Sequence, residues 1–434
     1  MRRPPRFDNI TGPHCNPRYH YHGGLNPSSV SIANGKVSMG YFTNWGIYEP
    51  NFQPQDIIAS TLTHIIYAFS DFNATSGAVM LTGTYADQEK RYPMDTMDEP
   101  GNNLYGEMKQ LYLLKRSNRS LKTLLSVGGW TYSQDGHFNF ITDPEARTTF
   151  IATAITLLED NGFDGIDIDF EYPASAEQGN GLASLLSELR SALDAHATYK
   201  GDMTPYLVTA AVGAGPEGYD YLDIPRMNSA LSFINLMAYG YAGPWSDVSD
   251  DQANVYGGTV SGFSTDKTLT HYLEHGASPS KISMGVPLYG RAFTNTTGIR
   301  QPFNGTGPGS FEEGVWDYRD LPRPGSTVTE DRYNISSYCY DGSTHTLVSY
   351  DTPSIVAKKA AYMKKKGLAG AMFWDLSDDK TGPDSLVATV TKGLGRLDST
   401  RNHLRYPGSK WDNMRNEMRG FPVNTTAPMP TPTA

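Results

Sequence analysis

The run Phe163-Asp164-Gly165-Ile166-Asp167-Ile168-Asp169-Phe170-Glu171-Tyr172 carries three acids spaced two residues apart. Side chains alternate along a strand, so Asp167, Asp169 and Glu171 share one face while Ile166, Ile168 and Phe170 share the other. Neighbours at i and i+2 lie roughly 7 Å apart at Cα. Three ionised carboxylates buried that closely would be severely unfavourable, so some must hold protons. Such a ladder raises the pKa of its terminal acid, which can then donate a proton near neutral pH while an inner acid stays charged. Glu171, at the strand's C-terminal end, is the natural donor. A hard-cation site is the alternative, because oxygen ligands are plentiful. No His lies nearby to favour zinc or iron, and no metal is assigned.

The elements that must position this strand follow a repeating rhythm. Short apolar, β-branched runs at 37–42, 64–69, 123–127, 163–170, 206–212, 233–238, 282–288 and 368–374 alternate with segments of helical period at 104–117, 144–161, 181–197, 267–275 and 353–366. Repeated strand–helix units of this kind predict an α/β fold. Eight of them close into a (β/α)₈ TIM barrel more economically than they form an open sheet, with the chemistry at strand C-terminal ends. Residues 292–350 break the rhythm, with many Gly, Pro, Tyr and Thr residues and short alternating stretches. A connection that long between the seventh and eighth strands reads as an inserted small α+β domain on the rim of the site. The expected organisation is an N-terminal extension at 1–36, a barrel over 37–396 interrupted at 292–350, a C-terminal extension at 397–420, and a Pro/Thr-rich tail or linker stub at 421–434.

Composition narrows the partners. The 434 residues include 46 acidic and 36 basic side chains, a formal charge of −10 that argues against nucleic acid. A charged fraction of 19%, with 12% aromatics and 43 Gly and 28 Pro residues, excludes disorder or coiled coil for the bulk of the chain. No apolar stretch is long enough to cross a bilayer, and no membrane insertion is expected. The basic start Met1-Arg2-Arg3 is not followed by the apolar run of a signal peptide. Sequons at Asn9, Asn73, Asn118, Asn295, Asn304, Asn334 and Asn424 nonetheless favour a secreted, extracellular glycoprotein. Cys15 and Cys339 could form one bridge or remain two thiols. The acidic surface and the lack of an oligomerisation stripe favour a monomer.

The spacing Asp164-x-x-Asp167-x-Asp169-x-Glu171 resembles the signature of glycoside hydrolase family 18, the chitinases. Other stretches share the resemblance from about residue 37 to 396: Gly40-Tyr41-Phe42-Thr43-Asn44-Trp45, Ser126-Val127-Gly128-Gly129-Trp130, Asn235-Leu236-Met237-Ala238-Tyr239, Met284 to Arg291, and Ala371-Met372-Phe373-Trp374-Asp375. Within the insertion, Gly314-Val315-Trp316-Asp317-Tyr318 and Val348 to Pro353 are similar to the inserted domain of the deep-cleft branch, where it forms one wall.

The resemblance implies hydrolysis of chitin or chitooligosaccharides with retention and without a cofactor, the substrate's own acetamido oxygen serving as nucleophile. By it, Glu171 protonates the leaving oxygen, Asp169 orients the acetamido group and stabilises the oxazolinium ion, Asp167 holds a proton with Asp169, and Tyr239 donates toward the acetamido oxygen. Sugar faces are flat and apolar, so aromatic platforms suit them. The resemblance puts Trp374 at the floor of the −1 sugar, Gly129 and Trp130 on the leaving-group side, and Trp45 and Tyr41 on the non-reducing side. Tyr172, Met237, Tyr289 and Arg291 become the walls of the central subsites, and Trp245, just beyond the sixth strand, joins the set.

One position departs from the family. Its sixth-strand motif usually reads Met-x-Tyr-Asp, whereas this chain reads Met237-Ala238-Tyr239-Gly240. Losing one charge-assisted contact would cost on the order of 1.5–3 kcal/mol, or roughly tenfold to a hundredfold in rate if it acts in the transition state. Compensated variation, a slow enzyme, a shifted pH optimum and a catalytically impaired chitin-binding lectin are all consistent with glycine there. The retained Glu171 speaks for an enzyme. An endo-acting hydrolase of N-glycan cores would share the acid ladder, but the insertion and Trp130 argue against it. Endo versus exo or processive action depends on loops the sequence does not define.

Overall fold

The computed structural model describes residues 33–420 except 97, 98 and 259. In chain order its strands are β1 (Val37–Thr43), β2 (His64–Phe72), β3 (Val79–Leu81), β4 (Lys122–Gly128), β5 (Gly165–Asp169), β6 (Leu207–Val212), β7 (Phe233–Leu236), β8 (Ile282–Pro287), β9 (Tyr289–Phe293), β10 (Val315–Asp317), β11 (Thr327–Asp331), β12 (Ser336–Asp341), β13 (Thr346–Ser349) and β14 (Gly370–Trp374). The parallel order β1-β14-β8-β7-β6-β5-β4-β2 closes on itself through the β1–β2 pairing, which makes the eight-stranded (β/α)₈ barrel. Each of the eight expected runs contributes one barrel strand. The acid-bearing strand is shorter than expected: β5 stops at Asp169, two residues before Glu171.

Helices cover the outside, with boundaries chemically marked in the sequence. Helix α1 spans Gly106–Ser117, and the single turn α2 spans Trp130–Gln134. At the start of α3 (Pro144–Asn161), the Asp143 side chain accepts from the backbone N–H of Glu145, and Gly162 ends the helix in the left-handed region. Ser175 caps α4 (Ala176–Lys200) in the same way. Thr352 followed by Pro353 begins α5 (Pro353–Lys365). Between these layers one apolar core contains Ile166, Ile168, Leu185, Leu189 and Val208. Among the described residues no helix is long and apolar enough to cross a membrane.

The insertion is a five-stranded antiparallel sheet in the order β10-β9-β13-β12-β11, and its one helical turn is Tyr318–Asp320. It begins at Tyr289 rather than Ala292, because only Leu288 separates β8 from β9 and no turn residue marks the change of sheet. Cys339 is buried in β12, whereas Cys15, like Asn9, Asn424 and the 421–434 tail, lies outside the described residues.

Residues 397–418 pack against the N-terminal end of the barrel. Asp398 pairs with Lys122 at 2.5 Å, and the backbone N–H of His403 donates to Asp164 Oδ1 at 2.7 Å. The hydroxyl of Tyr406 donates to Phe163 O at 2.9 Å, and Asn413 Oδ1 accepts from the backbone N–H of Leu104. Tyr406, Met414 and Met418 are buried. Asp164, first acid of the motif, is part of this floor. It pairs with the buried Lys115 at 2.8 Å and accepts from the Thr123 N–H, remote from the end where Glu171 emerges.

Candidate active site

Inside the barrel Asp167 sits at the centre of a polar layer contributed by successive strands. Tyr41 of β1 and Ser126 of β4 donate to its Oδ2 at 3.0 and 2.7 Å. Thr209 of β6 and Asn235 of β7 donate to Oδ1, and Ser283 of β8 in turn donates to Asn235 Oδ1 at 2.6 Å. The register brings these groups together, since Ser126 and Thr209 are the cross-strand neighbours of Asp167. Four donors occupy this carboxylate. Burial still raises its pKa, with the hydrogen bonds acting against that rise.

Asp169, one pleat further along, has no such support. Its Oδ1 is buried and meets no donor among the described residues. Burial, then the charges of Glu171 and Asp167, hold its pKa well above the usual carboxylate range. Burial likewise lifts Glu171 to about 7, opposed by a hydrogen bond from Tyr172. Burial and the neighbouring charges thus favour a proton on Asp169, whose Oδ1 lacks a donor, whereas the four donors around the equally buried Asp167 favour its charged form. The three acids span environments from saturated to empty, which separates their proton affinities.

The two glycines after Val127 explain how the ladder's end is seated. A Cβ on Gly128, whose φ is +115°, would lie 2.2 Å from the carbonyl oxygen of Asp169. At Gly129 (φ +93°) it would lie 2.7 Å from the Phe69 ring. The Gly129 N–H donates to Asp169 O at 2.8 Å. Gly128 thus allows the close approach of β4 to β5, while Gly129 makes room for the Phe69 ring and supplies no side chain to a ligand.

Aromatic rings line the C-terminal end of the barrel. Trp374 stacks on Phe69 at 5.6 Å between centroids, and Phe69 lies 6.2 Å from Trp45. Trp45, Trp130 and Trp245 are exposed, whereas Trp374 is partly covered. A cavity of about 430 Å³ includes Trp45, Tyr48, Tyr289, Arg291, Phe311 and Trp374 in its lining. The guanidinium of Arg291 lies 5.0 Å from the Trp245 ring centre, which brings Trp245 into the same wall. Tyr239 and Tyr289 meet edge to face at 6.2 Å, and Met237, two residues before Tyr239, is buried. Tyr172, which shares a cis peptide bond with Glu171, lies over Gly213, whose Cβ would be 2.8 Å from the ring.

Tyr41 corrects an expectation. It is only 1% exposed, packed against Trp374 at 5.3 Å with its hydroxyl on Asp167, so it offers no face to a sugar and serves the acid ladder instead. Several site residues escaped the sequence. Phe69, the ring that joins Trp45, Trp374 and Gly129, lies within β2 but closes the expected run at 64–69, so it could have been found by asking which aromatics end those runs. Thr209 faces inward on β6 in register with Asp167, a signal available only once the strands are aligned. Tyr48 and Phe311 lie in loops with no periodicity to betray them.

Residues 37–379 match the family model described as Glycosyl hydrolases family 18. The chain is 44% identical over 393 residues to Endochitinase 1 of Metarhizium robertsii, covering 89% of this chain and 92% of that one. It is also 44% identical over 392 residues to Chitinase 1 of Aphanocladium album, with the same coverage of 89% and 92%. Among solved structures, the catalytic domain of the psychrophilic chitinase B from Arthrobacter TAD20 superposes with a TM-score of 0.77 at 28% identity, over 85% of this chain and 99% of that one.

Proposed function

From the premise that this chain belongs to glycosyl hydrolase family 18 and is a glycoside hydrolase, we propose that it is a chitinase cleaving β-1,4-linked N-acetylglucosamine polymers with retention. The observation that carries this reading is the ladder itself: a saturated Asp167, a donor-starved Asp169 and Glu171 raised to about 7. The acetamido oxygen of the −1 sugar attacks its own anomeric carbon while Glu171 delivers its proton to the leaving oxygen. Asp169 faces the developing oxazolinium, with its buried oxygen free to accept the acetamide N–H. Asp167, fixed by four donors, keeps negative charge behind it without moving. Tyr239 orients the acetamide from just beyond β7, Trp374 forms the floor, Trp130 receives the leaving sugar, and Trp45 extends the non-reducing side. We read the protein as secreted, and the exposed asparagines Asn73, Asn295 and Asn304 of its sequons fit that reading.

The test is hydrolysis of a fluorogenic N,N′-diacetylchitobioside from pH 4 to 8 by the wild type and by Glu171→Gln. Turnover should fall above about pH 7 as Glu171 loses its proton, and the variant should be inactive. Unchanged turnover by Glu171→Gln would overturn the assignment of the acid.

A further inference from the structure

Glu171 stands two residues beyond the last ladder position of β5, so the sheet holds neither its N–H nor its C=O. Both groups are satisfied from one place. The Glu171 N–H donates to Ser133 Oγ at 2.9 Å, and Gln134 Nε2 donates to Glu171 O at 2.7 Å. Together with the Gly129 N–H on Asp169 O at 2.8 Å, the segment 129–134 extends the β5 hydrogen-bonding pattern past the end of the strand. These bonds flank the Cα of Glu171 on both sides, so they set the direction in which its carboxyl leaves the backbone. Neither side chain is needed to complete the core: Gln134 is exposed and Ser133 half-buried, on a turn of five residues.

We propose that Ser133 and Gln134 are positioning residues for Glu171, holding its carboxyl on the line of the leaving oxygen. The inference rests on the reading of Glu171 as the general acid. Helix α2 also begins with Trp130, exposed on the side assigned to the leaving sugar. One helical turn therefore carries both the platform for the departing sugar and the clamp on the acid that protonates it. A misplaced acid hurts in proportion to how much the leaving group needs protonation, and this separates positioning from general damage.

The experiment compares the full-length wild type with Gln134→Met, which keeps length and loses the donor, and with Ser133→Ala. The readout is kcat/KM on chitohexaose, whose leaving sugar needs a proton, and on a dinitrophenyl chitobioside, whose phenolate leaves without one. The expected result is a loss of roughly tenfold on the hexamer and less than about twofold on the dinitrophenyl substrate. Melting temperatures should be unchanged, and Ser133→Thr should restore the Ser133→Ala loss. Equal losses on both substrates, or no loss on the hexamer, would overturn the proposal. If Glu171→Gln itself spares the hexamer, the acid assignment falls and the clamp with it; if that variant is inactive while Gln134→Met and Ser133→Ala behave as wild type, only the clamp falls.

Discussion

Replacing Glu107 by Gln should change how stability depends on pH while leaving the fold intact. The Tyr67 hydroxyl lies 2.5 Å from both Asp87 Oδ1 and Glu107 Oε2, and one hydroxyl hydrogen cannot serve two carboxylates. Asp87 also accepts from Asn44 Nδ2 and the Gly83 N–H, which favours its charged form, whereas Glu107 Oε1 is buried without a donor among the described residues. The missing proton belongs on Glu107, whose pKa burial lifts from an ordinary 4.5 to about 8, with the charge of Asp87 adding to the rise and Tyr67 and Lys90 opposing it. In the folded state the acid binds a proton through a window in which the unfolded chain has released it. Stability from this group is therefore fully present below about pH 4.5 and is lost as pH rises to about 8, at about 1.4 kcal/mol per unit. Glutamine donates to Tyr67 as the protonated acid does and does not titrate. Between pH 5 and 7 the stability of Glu107→Gln should thus rise by about 3 kcal/mol relative to wild type and level off above pH 8. Urea unfolding of both proteins at pH 5, 6, 7 and 8 measures the difference, and parallel pH profiles would refute the buried proton.

Further expectations follow from other sites. Gly240 has a φ of +71° and its Cβ would meet nothing within 4 Å, so Gly240→Asp should fold at a cost of about 1–2 kcal/mol from the left-handed backbone alone. It should raise kcat/KM on a chitin oligomer or move the pH optimum, and a variant unchanged in both would show that the glycine is compensated. Lys115→Met leaves the buried Asp164 charge without its ion-pair partner and should destabilise the protein by roughly 3–5 kcal/mol in denaturant. Because that pair lies at the floor, kcat of the folded fraction should be unaffected; a stability loss under about 1 kcal/mol would remove Asp164 from the structural framework.

The elements and the ladder were legible because both are written in period. Alternation fixes which face Asp167 and Asp169 share, and the strand–helix rhythm fixes a parallel barrel with their C-terminal ends as the working end. Strand ends were less legible. The apolar run at 282–288 passes into β9 without a turn residue, and Phe170 kept the acid strand apparently longer than its hydrogen bonds allow. Groups that act through single hydrogen bonds were invisible. Ser133 and Gln134 sit in an ordinary polar turn, and Thr209 matters only through its register with Asp167. The floor segment escaped for a related reason: Tyr406, Met414 and Met418 are isolated among polar residues, so no period announces their burial.

That floor segment also bears on how the chain reaches its native state. Asn413 is joined to Leu104, Tyr406 to Lys115 and His403 to Asp164 across 309, 291 and 239 residues of sequence. Loop closure over such spans is slow, and it delays cooperative folding until the distant partners exist together. During synthesis, Lys115 and Asp164 are made long before the segment that encloses them, so a nascent barrel ending near residue 396 exposes an ion pair and an apolar seat for Met414. The floor segment, which emerges after all eight strands, is thus a latch, and a barrel whose strands are all present still waits on it to become a single cooperative unit.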